Sequence, residues 1–276
     1  MCRSFSFFLL LCIAVFQGAL SWADAQAEAR ATDHAFVSDF DGSEERYVLL
    51  LPKPLASPDG APLLVMLHGH GSDRWQCIRQ DRDECRAVRD MAQRFGLVLL
   101  LPDYRAATSW MGPAAEADLR QILDEWKERH HPEKVILAGG SMGGASALTF
   151  SALHPDLVQG VLAMNGIANH VEYTGFQDAI AESFGGTKDT VPEEYIRRSA
   201  ELQATSLRMP VALTAGGKDT VTPSDSIVRL AEKLRGQNTD TLLLLSPEGG
   251  HDTNYADACE ALGWLFEKTG LRAPAP

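Results

Sequence analysis

A serine set among glycines at the end of an apolar run is the first chemical signal in this chain. The stretch "VILAGGSMGGAS" (Val135–Ser146) contains Gly139-Gly140-Ser141-Met142-Gly143, the pattern G-x-S-x-G. Where a buried strand turns abruptly into a helix, such a serine is held in a strained conformation with its hydroxyl exposed at the sheet edge. Side chains two positions to either side would collide with nearby backbone, so glycine is wanted there. The helix N-terminus that follows favours negative charge developing on a substrate oxygen. The pentapeptide alone is weak. A buried strand before it and a Gly/Ala-rich helix after it make the signal specific.

A serine hydroxyl needs a base, and the base needs an acid to hold it. In strand-turn-helix sites of this kind the order along the chain is Ser, then Asp or Glu, then His. Asp219 lies in "TAGGKDTVTP" (Thr214–Pro223), after one strand and before a helix. His251 lies in "SPEGGHDTNY" (Ser246–Tyr255), after the last strand. Both are expected on the same edge of the sheet as Ser141. The rivals fit less well: His130, His131 and His154 fall at helix ends, Asp103 precedes the serine, and Asp252 reads as a loop residue.

An oxyanion hole requires backbone N–H groups aimed at the developing charge. One is expected from Met142 and the other from His70, in the loop "HGHG" (His68–Gly71). His68 then holds the loop. A metal held by His68 and His70 would lack a third ligand, so no metal site is expected. Trp110 and Met111, in "ATSWMGP", follow a strand on the same edge and read either as pocket wall or as core. Asn165, ending its strand, and His170, in the insertion that follows and able to touch substrate, are further pocket candidates.

The positioning elements follow from the hydrophobic pattern. "LLVMLHGHGSD" (Leu63–Asp73), "LVLLLPDY" (Leu97–Tyr104), "KVILAGG" (Lys134–Gly140), "GVLAMNG" (Gly160–Gly166), "PVALTAGGKD" (Pro210–Asp219) and "DTLLLLS" (Asp240–Ser246) are continuous apolar runs. Such runs mark strands buried on both faces. "ERYVLLLP" (Glu45–Pro52) is a further strand, after a polar start. Between them, residues 83–96, 113–130, 142–155, 223–236 and 255–270 carry helical periodicity; in the second, Leu119, Ile122, Leu123 and Trp126 share one side. The alternation predicts an α/β fold with a mostly parallel central sheet flanked by helices on both faces, and active sites of such sheets lie at the carboxyl ends of the strands. The rhythm breaks at residues 166–208, where no strand is evident. That small insertion reads as a lid over the catalytic edge or as an ordinary long connection.

Composition narrows the setting. The chain has 276 residues, 45% of them hydrophobic, and a formal net charge of −12, which argues against nucleic acid and anionic membranes as partners. Phe5–Leu20 is an uncharged apolar run followed by "ADA" (Ala23–Ala25), the pattern of a secretory signal peptide cut near Ala25. The alternative is a retained N-terminal anchor, against which the run, shorter than the roughly 20 residues a bilayer span prefers, argues; with the signal removed, no stable membrane insertion is expected. Residues 1–25 are therefore read as signal, residues 26–276 as one domain, and the product as secreted or periplasmic. Export makes a disulfide possible. Cys77 and Cys85, close to the glycine loop, are either a bridge or two neighbouring free thiols, and Cys259 is left over.

Together "HGHG", "GGSMGG", "GGKD" and "GGHD", in this order at strand ends, resemble the α/β-hydrolase superfamily, over about Glu45 to Leu265. The early loop and the elbow look like secreted feruloyl esterases, acetyl xylan esterases and polyhydroxyalkanoate depolymerases. They are also similar to prolyl oligopeptidase-type catalytic domains. The resemblance implies a serine hydrolase without a cofactor, acting through an acyl-enzyme on a small-molecule or polysaccharide-linked ester. It leaves room for a peptidase, amidase or thioesterase, and for a silent binding protein, against which the complete Ser–Asp–His set argues. Ester identity, acyl length and oligomeric state are not written in these residues.

Overall fold

The continuous apolar runs become the middle of a single sheet. The protein is seen in a computed structural model that describes residues 30–274; the expected signal segment, residues 1–25, lies outside the described residues. Eight strands are present there: β1 (Ala31–Val37), β2 (Glu44–Leu50), β3 (Leu63–Leu67), β4 (Val98–Pro102), β5 (Val135–Gly140), β6 (Gly160–Met164), β7 (Val211–Gly216) and β8 (Thr241–Ser246). Their order across the sheet is β1-β2-β4-β3-β5-β6-β7-β8. The β1–β2 and β2–β4 pairs are antiparallel, and every pair from β4 to β8 is parallel.

Among the described residues eight helices surround it: α1 (Gln76–Arg79), α2 (Asp83–Phe95), α3 (Pro113–His130), α4 (Met142–Leu153), α5 (Gln177–Phe184), α6 (Pro192–Arg197), α7 (Asp225–Gly236) and α8 (Tyr255–Thr269). The two-residue period of a strand sorts its side chains between two cores. Leu63, Val65 and Leu67 enter one with Leu119 and Trp126 of α3, Phe150 of α4 and Leu230 of α7. Leu64 and Met66 enter the other with Val88 of α2 and Leu262 and Phe266 of α8. Each such side chain contributes about 1.5–3 kcal/mol on full burial. Pro113 starts α3 at its first position, where a missing N–H costs nothing. Gly96, at φ 71°, ends α2 in the left-handed conformation.

Two features depart from the sequence reading. The polar start contains β1, an outer strand paired from Ala31↔Leu50 to Val37↔Glu44. Its mixed, half-exposed pattern lacks an apolar run because it lies at the sheet's edge. The short α1 was also hidden, since four residues carry no periodicity. Residues 166–208 hold α5, α6 and a short 3₁₀ turn at Ala204–Ser206, with no strand among them.

Parallel register aligns the strand ends that matter. Gly140 pairs with Met164, Met164 with Thr214, and Gly216 with Ser246. The segments that follow β5, β6, β7 and β8 therefore leave the sheet on one edge.

Candidate active site

Ser141 stands between β5 and α4 at φ 56° and ψ −120°. A non-glycine residue there is strained, and the strain is held by packing on both sides. A Cβ at Gly139 would come within 2.2 Å of the Gly143 backbone, and one at Gly143 within 2.1 Å of the Leu67 carbonyl oxygen. Those two glycines of the pentapeptide are thus sterically required. The middle one is not, since a Cβ at Gly140 would meet nothing within 4 Å. The Ser141 amide donates to the Met164 carbonyl at 2.8 Å, tying the turn to β6.

Three side chains distant in the chain meet at this turn. His251 Nε2 lies 2.9 Å from Ser141 Oγ, and His251 Nδ1 lies 2.7 Å from Asp219 Oδ2. Asp219 is 7% exposed. Its Oδ1 accepts from the amides of Val221 (2.8 Å) and Thr222 (2.9 Å). Burial pulls the carboxyl's pKa up, but hydrogen bonds from His251 and from the Thr222 amide and hydroxyl outweigh it, and the net shift is downward. Thr222 Oγ1 lies 2.8 Å from Asp219 Oδ2 and 3.0 Å from His251 Nδ1.

Asn165 is tied into the same cluster. Its Nδ2 donates to the Gly250 carbonyl at 3.0 Å and reaches Asp219 Oδ2 at 3.5 Å. Its Oδ1 accepts from Thr253 at 2.6 Å and Thr214 at 3.3 Å. Asn165 thus links the ends of β6 and β7 and the loop carrying His251, and it also lines the cavity beside Ser141. The threonines were not anticipated. Thr222 could have been: it follows Asp219 by three residues, and an aspartate that accepts amides two and three residues on makes a local turn. Thr214 and Thr253 carry no such mark.

The His68–Gly71 loop lies against the elbow and is fixed from several sides. His68 is 3% exposed, with its ring nitrogens 2.9 and 3.0 Å from the carbonyls of Gly69 and Asp103. Tyr104 donates to the His68 carbonyl at 2.6 Å, and the Gly69 amide donates to Gln76 Oε1 at 2.7 Å. Cys77 and Cys85 are joined in a disulfide that links α1 to α2 beside this loop. The backbone amides of His70 and Met142 have no hydrogen-bond partner among the described residues. Trp110 Nε1 donates to His70 Nδ1 at 3.2 Å, and Phe176 packs on the His70 ring at 4.3 Å between centroids. Burial lowers the His70 pKa, so the imidazole is neutral at pH 7.

Two pocket candidates turn out to belong to the interior, and a third acts indirectly. Met111 is fully buried and its carbonyl accepts from Arg198 Nη1 at 2.6 Å. His170 is 1% exposed, packed against Trp110 and Phe184, and its pKa is pushed down to about 3 by burial and then by Arg198 and Lys188. Both face the core because residues 166–208 fold down onto α3 and α4. Trp110 is fully buried too and bears on the site through His70. Among the described residues no group of three or more His, Cys, Asp or Glu side chains is placed to hold a metal, and no helix is long and apolar enough to cross a membrane.

The prolyl oligopeptidase family matches residues 109–270, more than half of the chain. The chain belongs to this family. It is a serine hydrolase with the α/β-hydrolase fold. Among curated proteins it is similar to a pimeloyl-[acyl-carrier protein] methyl ester esterase of Citrobacter koseri, 26% identical over 59% of this chain and 67% of that one. Other curated relatives are matched over less, between about a quarter and a half of their length. Among solved structures, a puromycin-hydrolyzing peptidase of Mycobacterium tuberculosis superposes with a TM-score of 0.71 at 18% identity, over 89% of this chain but 40% of that one. Est1E from Butyrivibrio proteoclasticus superposes with a TM-score of 0.63 at 18% identity, over 86% of this chain and 99% of that one.

Proposed function

We propose that this serine hydrolase cleaves carboxylic esters, with Ser141 as nucleophile, His251 as general base and acid, and Asp219 as the group that orients the imidazole. The single observation carrying this reading is the unbroken contact from Asp219 Oδ2 through His251 to Ser141 Oγ, at 2.7 and 2.9 Å. Ser141 Oγ attacks the ester carbonyl carbon while its proton passes to His251 Nε2. The oxyanion accepts hydrogen bonds from the Met142 and His70 amides, for which their lack of internal partners suits them. Collapse breaks the bond to the alkoxy oxygen, and the alcohol leaves with the proton from His251. Water then attacks the acyl-enzyme, His251 takes its proton, and the acid departs as Ser141 regains its hydrogen. Asp219 stays ionised throughout, as its lowered pKa requires.

An ester rather than an amide is supported by the methyl ester esterase relative. The peptidase reading has an observation of its own, the family match. A panel of p-nitrophenyl esters and peptide anilides divides the two: ester turnover without anilide turnover is expected, and the reverse would overturn the proposal. Labelling by a fluorophosphonate that disappears in Ser141→Ala tests the nucleophile separately.

We also propose export, on the strength of the apolar leader Phe5–Leu20 and of the disulfide, since such bonds persist in oxidising compartments. A mature N-terminus just after Ala25 is expected on sequencing the protein from outside the cytoplasm. Residues 166–208 are read as a cap over the catalytic edge, supported by the contact of Phe176 with His70. The alcohol, whether small or part of a polysaccharide, would leave along the exposed apolar rim that includes Phe176 and Val221.

A further inference from the structure

The cavity that touches both Ser141 and His251 lies on the α2–α8 side of the sheet, away from the cap, and its walls are specific. Met66 and Met164, from the ends of β3 and β6, form an apolar floor. The Cys77–Cys85 disulfide closes one side, and Gln76 is fixed at another by its bond from the Gly69 amide. Farther out stand Arg82 and Glu84, whose Nε and Oε1 lie 2.7 Å apart. The cavity is small, about 30 Å³, and only partly open to solvent.

We propose that this cavity is the acyl site and that it restricts the enzyme to esters of short acids, of the acetyl or propionyl class. The proposal rests on the ester-hydrolase reading above and deepens it. The two halves of an ester have different needs. The alcohol must leave before water can attack, so it belongs on the open side, toward Phe176 and Val221. The acyl group stays bonded to Ser141 through both half-reactions, so a small, confined space suits it. The methyl of an acetyl group fits over the two methionines. A six-carbon chain would have to run past the disulfide and press on the Arg82–Glu84 pair, stripping water from charges without replacing their hydrogen bonds. An aromatic acyl group such as feruloyl is too large altogether. The disulfide matters because a bond closing the short loop between α1 and α2 keeps that wall from retreating.

The test is the dependence of kcat/KM on acyl length, measured with p-nitrophenyl acetate, propionate, butyrate and hexanoate on the full enzyme. Acetate and propionate are expected to be the best substrates, with hexanoate at least about 30-fold poorer, as misfit in an apolar pocket generally costs tenfold or more. Arg82→Ala, at a half-exposed side chain whose loss leaves the core untouched, is expected to raise hexanoate relative to acetate about threefold or more. Hexanoate cleaved as well as acetate, or a ratio unchanged in Arg82→Ala, overturns the inference. Failure to cleave any ester, with Ser141 still labelled by fluorophosphonate, would instead bring down the ester reading and this inference with it.

Discussion

At the proposed catalytic edge, short polar contacts hang from strand ends whose apolar side chains are buried; in residues 166–208, the proposed cap, the chain is tied down by ion pairs. Ser141, Asp219 and His251 follow β5, β7 and β8, and Asn165 cross-links them through Gly250, Thr214 and Thr253. The cap depends on Arg198, which is 1% exposed. Its guanidinium donates to the Met111 carbonyl at 2.6 Å, to Glu116 at 2.8 Å and to Glu194 at 2.9 Å. Arg197 and His154 share Glu116. At the cap's far end, Glu201 accepts from Arg229, Lys233 and Asn169. The difference is instructive: a reacting constellation needs positions set by a stiff sheet, whereas a wall above it can be fixed by charges that respond to pH.

The two regions should therefore fail differently. Ser141→Ala is expected to remove about 10⁶ of turnover, by analogy with other triads, while leaving the melting temperature unchanged; appreciable ester turnover in that variant would mean another nucleophile. Asp219→Asn should cost about 10⁴ in kcat with the fold intact, because the amide no longer holds the imidazole in the required tautomer. Near-normal turnover would move the acid's role elsewhere. Glu116→Ala strikes the cap instead. It leaves Arg198 buried with one of its two carboxylates gone, so urea unfolding should show a loss of about 3 kcal/mol; an unchanged midpoint would say the cap is not pinned there.

The smallest effect expected is the acid response of the cap. The hydrogen bond from Arg229, opposed by burial and joined by Asn169 and Lys233, brings the Glu201 pKa down to about 2 from the ordinary 4.5. A carboxyl whose folded pKa is depressed adds stability above its unfolded value and loses it as pH falls toward the folded one. Stability from Glu201 should thus be complete above about pH 4.5 and decline toward pH 2. Because Arg229 is substantially exposed, the contribution is about 1 kcal/mol or less, or about 2–4 °C in melting temperature. Glu201→Gln should flatten that part of the curve, and an unaltered acid limb would place the response in other carboxyls.

The legible parts of the molecule were those where chemistry narrows the choice of residue. The elbow announced itself because Gly139 and Gly143 have no room for a side chain. Asp219 and His251 stood out because each followed a strand in a sheet whose apolar runs were unmistakable. The helices α3, α7 and α8 were visible through their periodicity. Less legible were β1, an edge strand under weak selection for an apolar face, and Thr214 and Thr253, whose hydroxyls acquire meaning only from Asn165. Met111 follows a strand and His170 lies in the insertion, both places where a residue could touch substrate, yet packing turned both inward.

By itself the sequence determined the order of elements, the strained serine and the three residue types placed at strand ends, because backbone sterics and hydrophobic period act over a few neighbouring residues. Only the tertiary structure decided which side chains share the edge with Ser141, what closes the cavity beside it and how the cap is held. Those depend on contacts between residues far apart in the chain, such as the 110 positions separating Ser141 from His251, and local pattern carries no measure of distance across a fold.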